Sequence, residues 1–388
     1  MSICGIVAEY NPFHLGHEKH IALARKATGA KYIICAMSGF FMQRGEPSIF
    51  DKWTRAACAL AGGADAVIEL PLISAVQSAQ GFAEGGIKTL AAAGAGSVCF
   101  GAETDDLSLL KSLAETLYGE SDGYKQSLRQ KLDAGLSFPK ARMDAAGAPP
   151  EASLPGALLG IEYLKALRKY PNIVPYAVKR EGAGYHCGDI DAYLPSASAI
   201  RASFAGGVDK ALSAMPKACA EILALKLDKG LAPVMPEQFD APLLHMLRLN
   251  GRSYIAKLPD VTEGLENRIY AAAKRCKTRA DIIARVKTKR YTYARISRIL
   301  VCALLNITRE DIAAHNSRAV SHIRVIGVKN PEVLSALSAS ARVPVITSGA
   351  PPYPVADAAA SDVWALSQSV PPFSGAGRDF TERLITDF

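Results

Sequence analysis

Four short apolar runs, at 3–8, 32–37, 66–70 and 97–100, punctuate the first hundred residues. Each is bounded by turn or polar residues and lacks the alternation of a half-exposed sheet, so each predicts a strand buried on both faces. Between them, 17–28, 51–62 and 73–93 read as helices. Asp51 suits an N-cap, and Gly29 and Gly62 suit C-terminal stops. Strand–helix alternation of this kind predicts an α/β fold, a parallel sheet with helices on both faces. From 105 to 143 the pattern is helical. A Pro/Gly/Ala-rich loop then covers 147–156, a helix 157–169 and a strand 173–178, and another helix starts near Ser196. Beyond 210 almost everything reads as helix, except strand candidates at 321–328 and 343–347. A boundary near Gly206-Gly207 would separate an α/β domain, 1–206, from a mainly helical, basic region, 207–388.

Composition narrows the class. Among 388 residues, 49% are apolar and 21% charged, which excludes a disordered or collagen-like chain. No run of 18 apolar residues predicts a membrane span. The start, Met1-Ser2-Ile3-Cys4, lacks a basic segment and meets Glu9 early, so no signal peptide is expected. Eight cysteines without a Cys-x-x-Cys pair argue against a zinc site or disulfide framework and for thiols in a reducing cytoplasm. The net charge of +8 is unevenly placed: between Arg268 and Lys329 fifteen Lys/Arg face three acids. That excess of twelve leaves the rest of the chain net acidic and predicts a polyanion-binding surface, although a solvated helical face is also compatible with it.

The densest chemistry follows the first strand, in Glu9-Tyr10-Asn11-Pro12-Phe13-His14-Leu15-Gly16-His17. In an open parallel sheet, ligands bind beyond the carboxyl ends of the strands. A helix N-terminus there offers N–H groups and a positive dipole end to phosphate. Gly16 allows close approach of backbone to ligand. His14 and His17, three apart, can donate to phosphoryl oxygens as charge builds during attack at an α-phosphorus. A surface His pair capping a helix, or an ion shared by two imidazoles with Glu9 or Glu18, are the other readings of the same residues. A second segment, Ser196-Ala197-Ser198-Ala199-Ile200-Arg201, places hydroxyls at a helix start and an Arg one turn on, suited to β- and γ-phosphates. Alone, it also reads as a Ser-capped helix.

Together these two segments resemble the signature of the nucleotidyltransferase superfamily. Further stretches sharpen the likeness: Ser38-Gly39-Phe40-Phe41-Met42-Gln43-Arg44-Gly45-Glu46-Pro47, Lys52-Trp53, Val67-Ile68-Glu69-Leu70-Pro71, Phe100-Gly101 and Lys287-Thr288-Lys289-Arg290-Tyr291-Thr292. The whole set resembles the bacterial tRNA(Met) cytidine acetate ligase family, densely over 3–101, in patches over 155–201 and locally over 287–298.

The resemblance implies a Rossmann-like nucleotidyltransferase domain with a parallel sheet, followed by a mostly helical basic domain. It implies a cytoplasmic enzyme that uses ATP and Mg²⁺ to make acetyl-adenylate from acetate, then acetylates N4 of the wobble cytidine in elongator tRNA(Met). His14, His17 and Arg201 would be catalytic. An ATP-binding loop would comprise Val7, Ala8, Glu9, Tyr10, Asn11, Pro12, Phe13, His14, Leu15, Gly16, His17, Glu18, Lys19 and His20. Gly101, Arg180, Ser196 and Ser198 would also hold the nucleotide, and the Tyr185-His186 pair fits the family pattern. One departure stands out: Pro155-Gly156-Ala157-Leu158-Leu159-Gly160 replaces a family Pro-Asn-Asn-x-Leu-Gly whose Asn contacts the nucleotide. Loss of one such hydrogen bond costs about 0.5–1.5 kcal/mol, and the backbone of Gly156 is the expected substitute. Glu181, beside Arg180, is an unfavourable charge for a phosphate site.

In the basic region, Lys287, Lys289, Arg290, Arg295 and Arg298 would neutralise RNA phosphates while Tyr291 or Tyr293 stacks on an unpaired base. Tyr291 and the neighbouring Tyr293 also fit a helical core with basic flanks. Two other functions use the same residues: a nucleotidyltransferase adenylating a small phosphorylated metabolite, and a non-catalytic RNA-binding relative with a decayed nucleotide fold.

Overall fold

A computed structural model describes residues 2–181, 190, 194–348 and 354–388, without the side chain of Ala205. The Tyr185-His186 pair lies outside the described residues. Strands β1 (Ile3–Ala8), β2 (Tyr32–Ser38), β3 (Ala66–Leu70), β4 (Ser97–Ala102), β5 (Val174–Lys179), β6 (Ile323–Val328) and β7 (Val345–Ile346) form one sheet in the order β5-β4-β1-β2-β3-β6-β7. The first five are parallel neighbours, whereas β6 pairs antiparallel with β3. The sheet is therefore mostly, not wholly, parallel. Two of its strands also come from beyond the expected 206/207 boundary.

Strand alternation divides the core in two. Ile33, Cys35 and Met37 of β2 face one apolar cluster, and Tyr32, Ile34 and Ala36 face the other. Helices α1 (Leu15–Thr28) and α2 (Lys52–Ala61) cover the first face. Past the short α3 (Leu72–Ala75), α4 (Ala79–Ala92) covers the second. The single helix expected over 73–93 is broken at Ser78, whose hydroxyl caps α4. The helical stretch after β4 is likewise three helices, α5 (Leu107–Gly119), α6 (Asp122–Asp133) and α7 (Phe138–Ala145), separated where Glu120 and Gly135 take positive φ. Helix α8 (Pro155–Leu167) precedes β5, and α9 (Ala197–Ser203), α10 (Val208–Leu212) and α11 (Lys217–Asp228) follow it.

A third apolar cluster sits in a helical unit of α12 (Asp240–Ile255), α13 (Leu265–Arg275), α14 (Arg279–Val286) and α15 (Tyr293–Leu304). Beyond it, α16 (Arg309–Ser317) leads to β6, and α17 (Pro331–Ser340), α18 (Val355–Ala365) and α19 (Arg378–Thr381) complete the described chain. A buried ion network returns this tail to the sheet. Arg324 of β6 pairs with Glu69 of β3 (3.3 Å) and with Asp379, and Lys52 pairs with both acids at 2.5 Å. Arg324 thus belongs to the core although it counts toward the basic excess. Among the described residues no helix is long and apolar enough to cross a membrane.

Candidate active site

The strand order turns outward on either side of β1, which has β2 on one flank and β4 on the other. Such a switch point opens a crevice at the carboxyl ends of the strands. Residues 9–14 leave β1 here and enter α1. Tyr10 and Phe13 are buried and pack edge to face (4.9 Å), which anchors the turn; the Tyr10 hydroxyl meets the Cys35 thiol at 3.2 Å. These two side chains belong to the core, so only their backbone can face a ligand. Asn11 is also buried, and its side-chain oxygen accepts from Ile49 N (2.7 Å).

His14, not a residue further on, is the N-cap of α1: its Nδ1 accepts from Gly16 N (3.1 Å). Histidine is outside the usual N-cap set, which is why the helix starts two residues before the expected 17. A Cβ on Gly16 would lie 2.9 Å from the His14 ring, so this glycine makes room for the imidazole. His17 Nδ1 accepts in turn from His14 N (3.3 Å), and the two rings lie against each other with centroids 3.8 Å apart and planes tilted by 32°. Burial, helped by Arg180 and Arg201, lowers the His14 pKa to about 3; burial, then His14 and Arg180, lowers that of His17 well below the usual value. Burial and Arg180 lower His20 to about 4. All three rings are therefore neutral near pH 7. Because Nδ1 of His14 and of His17 accepts a backbone proton, each neutral ring carries its own proton on Nε2.

The backbone of α1 plays a smaller part than its position suggests. Leu15 N donates to Ala214 O (3.3 Å), Gly16 N to His14, and His17 N to His14 O (2.8 Å). The first-turn amides expected to bind phosphate are engaged within the protein. The helix dipole and the Nε2–H donors remain available.

Arg201 reaches this turn from α9. Its Nη1 donates to Asn11 O (2.7 Å), and its Nη2 to Glu46 (3.2 Å) and to Ser198 (3.4 Å). Ser196 Oγ accepts from Ala199 N as the cap of its own helix. Gly101, at the end of β4, lies under Arg180: a Cβ there would be 3.0 Å from Arg180 Cγ and 3.9 Å from His20 Nε2. Arg180 is exposed and has no ion-pair partner among the described residues. Glu181, the unfavourable acid, pairs instead with Lys19. Glu9 accepts from Gln43 N (2.6 Å); burial raises its pKa against the lowering effect of that bond, Arg201 and Arg44. Val7 and Ala8 end the strand half-buried, Pro12 is buried, and Glu18 is half-buried on α1.

The Gly156 backbone does not stand free to replace the missing Asn. Gly156 N and Ala157 N both donate to the Glu103 carboxylate (3.1 and 2.7 Å), which caps α8. Other participants lie outside the expected set. Arg55 is buried in α2 and donates to Glu9 O (2.6 Å), Ser38 O (3.0 Å) and Gly39 O, tying the ends of β1 and β2 together. A Lys52-Trp53-Thr54-Arg55 turn opening an otherwise apolar helix is the available signal, since buried charge is retained only where it is paired.

The basic region is divided. Lys287, Lys289 and Arg290 are exposed, although Arg290 pairs with Glu263. Arg295 donates to Asp260 O (3.1 and 2.7 Å) and to Thr262 (3.0 Å), and Arg298 pairs with Asp260 (3.3 Å). Tyr291 is 7% exposed, with Arg295 and Arg268 over its ring at 5.3 and 5.9 Å. The stacking role expected of it does not fit this placement; the neighbouring Tyr293 is the exposed aromatic, at 42%.

A family model described as HIGH Nucleotidyl Transferase matches residues 1–367. A tRNA(Met) cytidine acetate ligase of Acetivibrio thermocellus is 35% identical over 413 aligned positions, covering 99% of this chain and 100% of the relative. One from Caldanaerobacter subterraneus subsp. tengcongensis is 37% identical, covering 89% and 88%. The crystal structure of apo Thermotoga maritima TmcAL superposes over the full length of both chains with a TM-score of 0.91 at 31% identity. The same protein bound with alpha-thio ATP superposes over the full length of both chains with a TM-score of 0.88 at 30% identity.

Proposed function

Because this chain belongs to the HIGH nucleotidyl transferase family, with tRNA(Met) cytidine acetate ligases as full-length relatives, we propose that it is an ATP-dependent ligase. It activates acetate as acetyl-adenylate and acetylates N4 of the wobble cytidine of elongator tRNA(Met). The observation that carries this reading is the His14–His17 pair, neutral and locked with Nε2–H as donor, beside Arg201.

Acetate is a poor acyl donor because oxide is a poor leaving group. An acetate oxygen attacks the α-phosphorus of ATP, the bond to the β-phosphate breaks, and pyrophosphate departs. Preorganised donors act where that charge develops, and each such donor is worth about 10²–10³ in rate. Arg201 is held by Asn11 and Glu46; phosphate oxygens displace Glu46 from Nη2 when the triphosphate binds. Arg180 faces the same crevice and balances the triphosphate charge. In the second step the cytidine N4 attacks the acetyl carbon, AMP leaves, and N4 loses a proton.

Mg²⁺ binds ATP largely through phosphate oxygens and water, and when bound it neutralises phosphate charge. Among the described residues no group of three His, Cys, Asp or Glu offers it a protein cage, so no step is assigned to it. The basic helices supply sequence-independent phosphate contacts.

The test is acetate-dependent exchange of labelled pyrophosphate into ATP, together with mass spectrometry of tRNA nucleosides after incubation with ATP and acetate. Exchange that responds to neither acetate nor any other small carboxylate would overturn the reading.

A further inference from the structure

The hairpin after β2 touches both halves of the molecule. Its tip is a tight turn: Met42 N donates to Glu46 O (2.8 Å) and Gly45 N to Met42 O (2.9 Å). On one side, Gln43 N holds the Glu9 carboxylate, Glu46 holds Arg201, and Ile49 N holds Asn11. On the other side the tip lies flat on α15. Gly45 has φ +75°, and a Cβ there would be 2.4 Å from Arg298 N and from Ser297 C. The Gly45 carbonyl accepts from Arg279 Nη2 (2.6 Å) and from the Ser297 hydroxyl (2.6 Å). Arg279 also donates to Ser297 Oγ, and its backbone N–H reaches Asp240 at the start of α12 (2.7 Å). Arg279 and Ser297 are both buried.

One carbonyl therefore takes two donors from two helices of the basic unit, two residues from Gln43, whose N–H holds the Glu9 carboxylate. Ser297 lies one helical turn beyond Tyr293 on the same stripe of α15, and Lys287, Lys289 and Arg290 lie in the linker between the two clamped helices. An acyl-adenylate and the base that receives its acyl group react only when held within a near-attack distance. We infer that Arg279, Ser297 and Gly45 are positioning residues that set the basic helices relative to the adenylation site, so that acyl transfer to RNA depends on them while adenylation does not. This inference rests on the ligase reading for its substrates.

The experiment uses the full chain with Ser297→Ala, Arg279→Lys and Gly45→Ala, each checked for folding by circular dichroism. Single-turnover acetyl transfer to tRNA should fall by about tenfold or more in each folded variant, whereas acetate-dependent pyrophosphate exchange and tRNA affinity stay within about threefold of the parent. Ser297→Ala combined with Arg279→Lys should cost less than the product of the two singles, because both act on one oxygen. Unchanged transfer, or transfer and exchange falling in step, would overturn the inference. Hydrogen exchange supplies a readout independent of substrate: amides of Met42, Gly45 and Ser48 should exchange faster when the clamp is cut, and unchanged protection would also overturn it. A parent protein lacking acetate-dependent exchange would instead refute the ligase reading, and the amide rates would still judge the clamp.

Discussion

The turn at residues 9–17 and the basic stretch at 287–298 both announced themselves in the sequence, yet they are built in opposite ways. In the first, Glu9, Asn11 and the Nδ1 atoms of His14 and His17 have partners within the turn or on an element packed against it, and the two Nε2–H groups are left for a ligand. Its imidazoles, His14 buried and His17 half-buried, are neutral and fixed in tautomer before any ligand arrives. In the second, Arg295 and Arg298 brace the helical unit, whereas Lys287 and Lys289 are exposed and have no ion-pair partner among the described residues. Stabilising a transition state requires donors that need not reorganise; attracting a polyanion requires only exposed charge. A basic cluster read from sequence mixes bracing cations with exposed ones, whereas the motif at the strand–helix junction mixes core side chains, Tyr10 and Phe13, with the two imidazoles that keep a free donor.

The largest effect should come from His14→Ala or His17→Ala. Pyrophosphate exchange is expected to fall by about 10²–10³ for each, with tRNA affinity unchanged in a filter-binding assay. The pair Lys287→Glu with Lys289→Glu should reverse this pattern. Affinity should drop roughly tenfold or more, and the slope of log affinity against log salt should become shallower by about 0.7–0.9 per lost phosphate contact; exchange should be unaltered. Parallel losses of both functions in both sets would erase the distinction between the two regions.

The same contrast accounts for what could be read beforehand. Strands β1 and β3 are local patterns of apolar residues, and so is the capping role of Asp51; each is decided within a few residues. The antiparallel β6 was legible as a strand but not as a neighbour of β3, because that pairing depends on Arg324 meeting Glu69 and Asp379 across the fold. Likewise, the amides of α1 were expected to be free, and nothing near them in sequence reveals Ala214 as an acceptor. The pairing of Arg295 with Asp260 has the same origin: the partner lies N-terminal to the basic stretch, 35 residues away. Glu103 at the start of α8 is a further case, separated by 53 and 54 residues from the two amides it caps.

Arg295→Ala sharpens the comparison inside the basic region. It removes bonds to Asp260 O and Thr262, so it should lower stability by about 1–2 kcal/mol, read as a shifted denaturation midpoint. Affinity for tRNA, measured well below that midpoint, should hardly change. A loss of affinity comparable to that of the lysine pair would return Arg295 to the binding surface.

The smallest effect is a dependence on pH to which His14 and His20 contribute, alongside His315, His322 and Asp357 elsewhere in the fold. His14 and His20 have folded pKa values of about 3 and 4, below the value of about 6.5 for the unfolded chain. Between those limits the unfolded state binds more protons, so stability is complete above about pH 6.5 and is lost as pH falls toward 4. Each ring can contribute a slope of up to about 1.4 kcal/mol per pH unit in that window. Replacing His20 by Asn should therefore flatten the fall in urea-denaturation free energy between pH 6.5 and 5 by roughly 1 kcal/mol per unit. Arg295→Ala carries no titrating group in this range and should displace the whole curve without changing its slope. If the two variants shifted the curve alike, His20 would not be held as a neutral ring, and the neutral state assigned to the adjacent His14 and His17, on which the proposed adenylation chemistry depends, would lose its support.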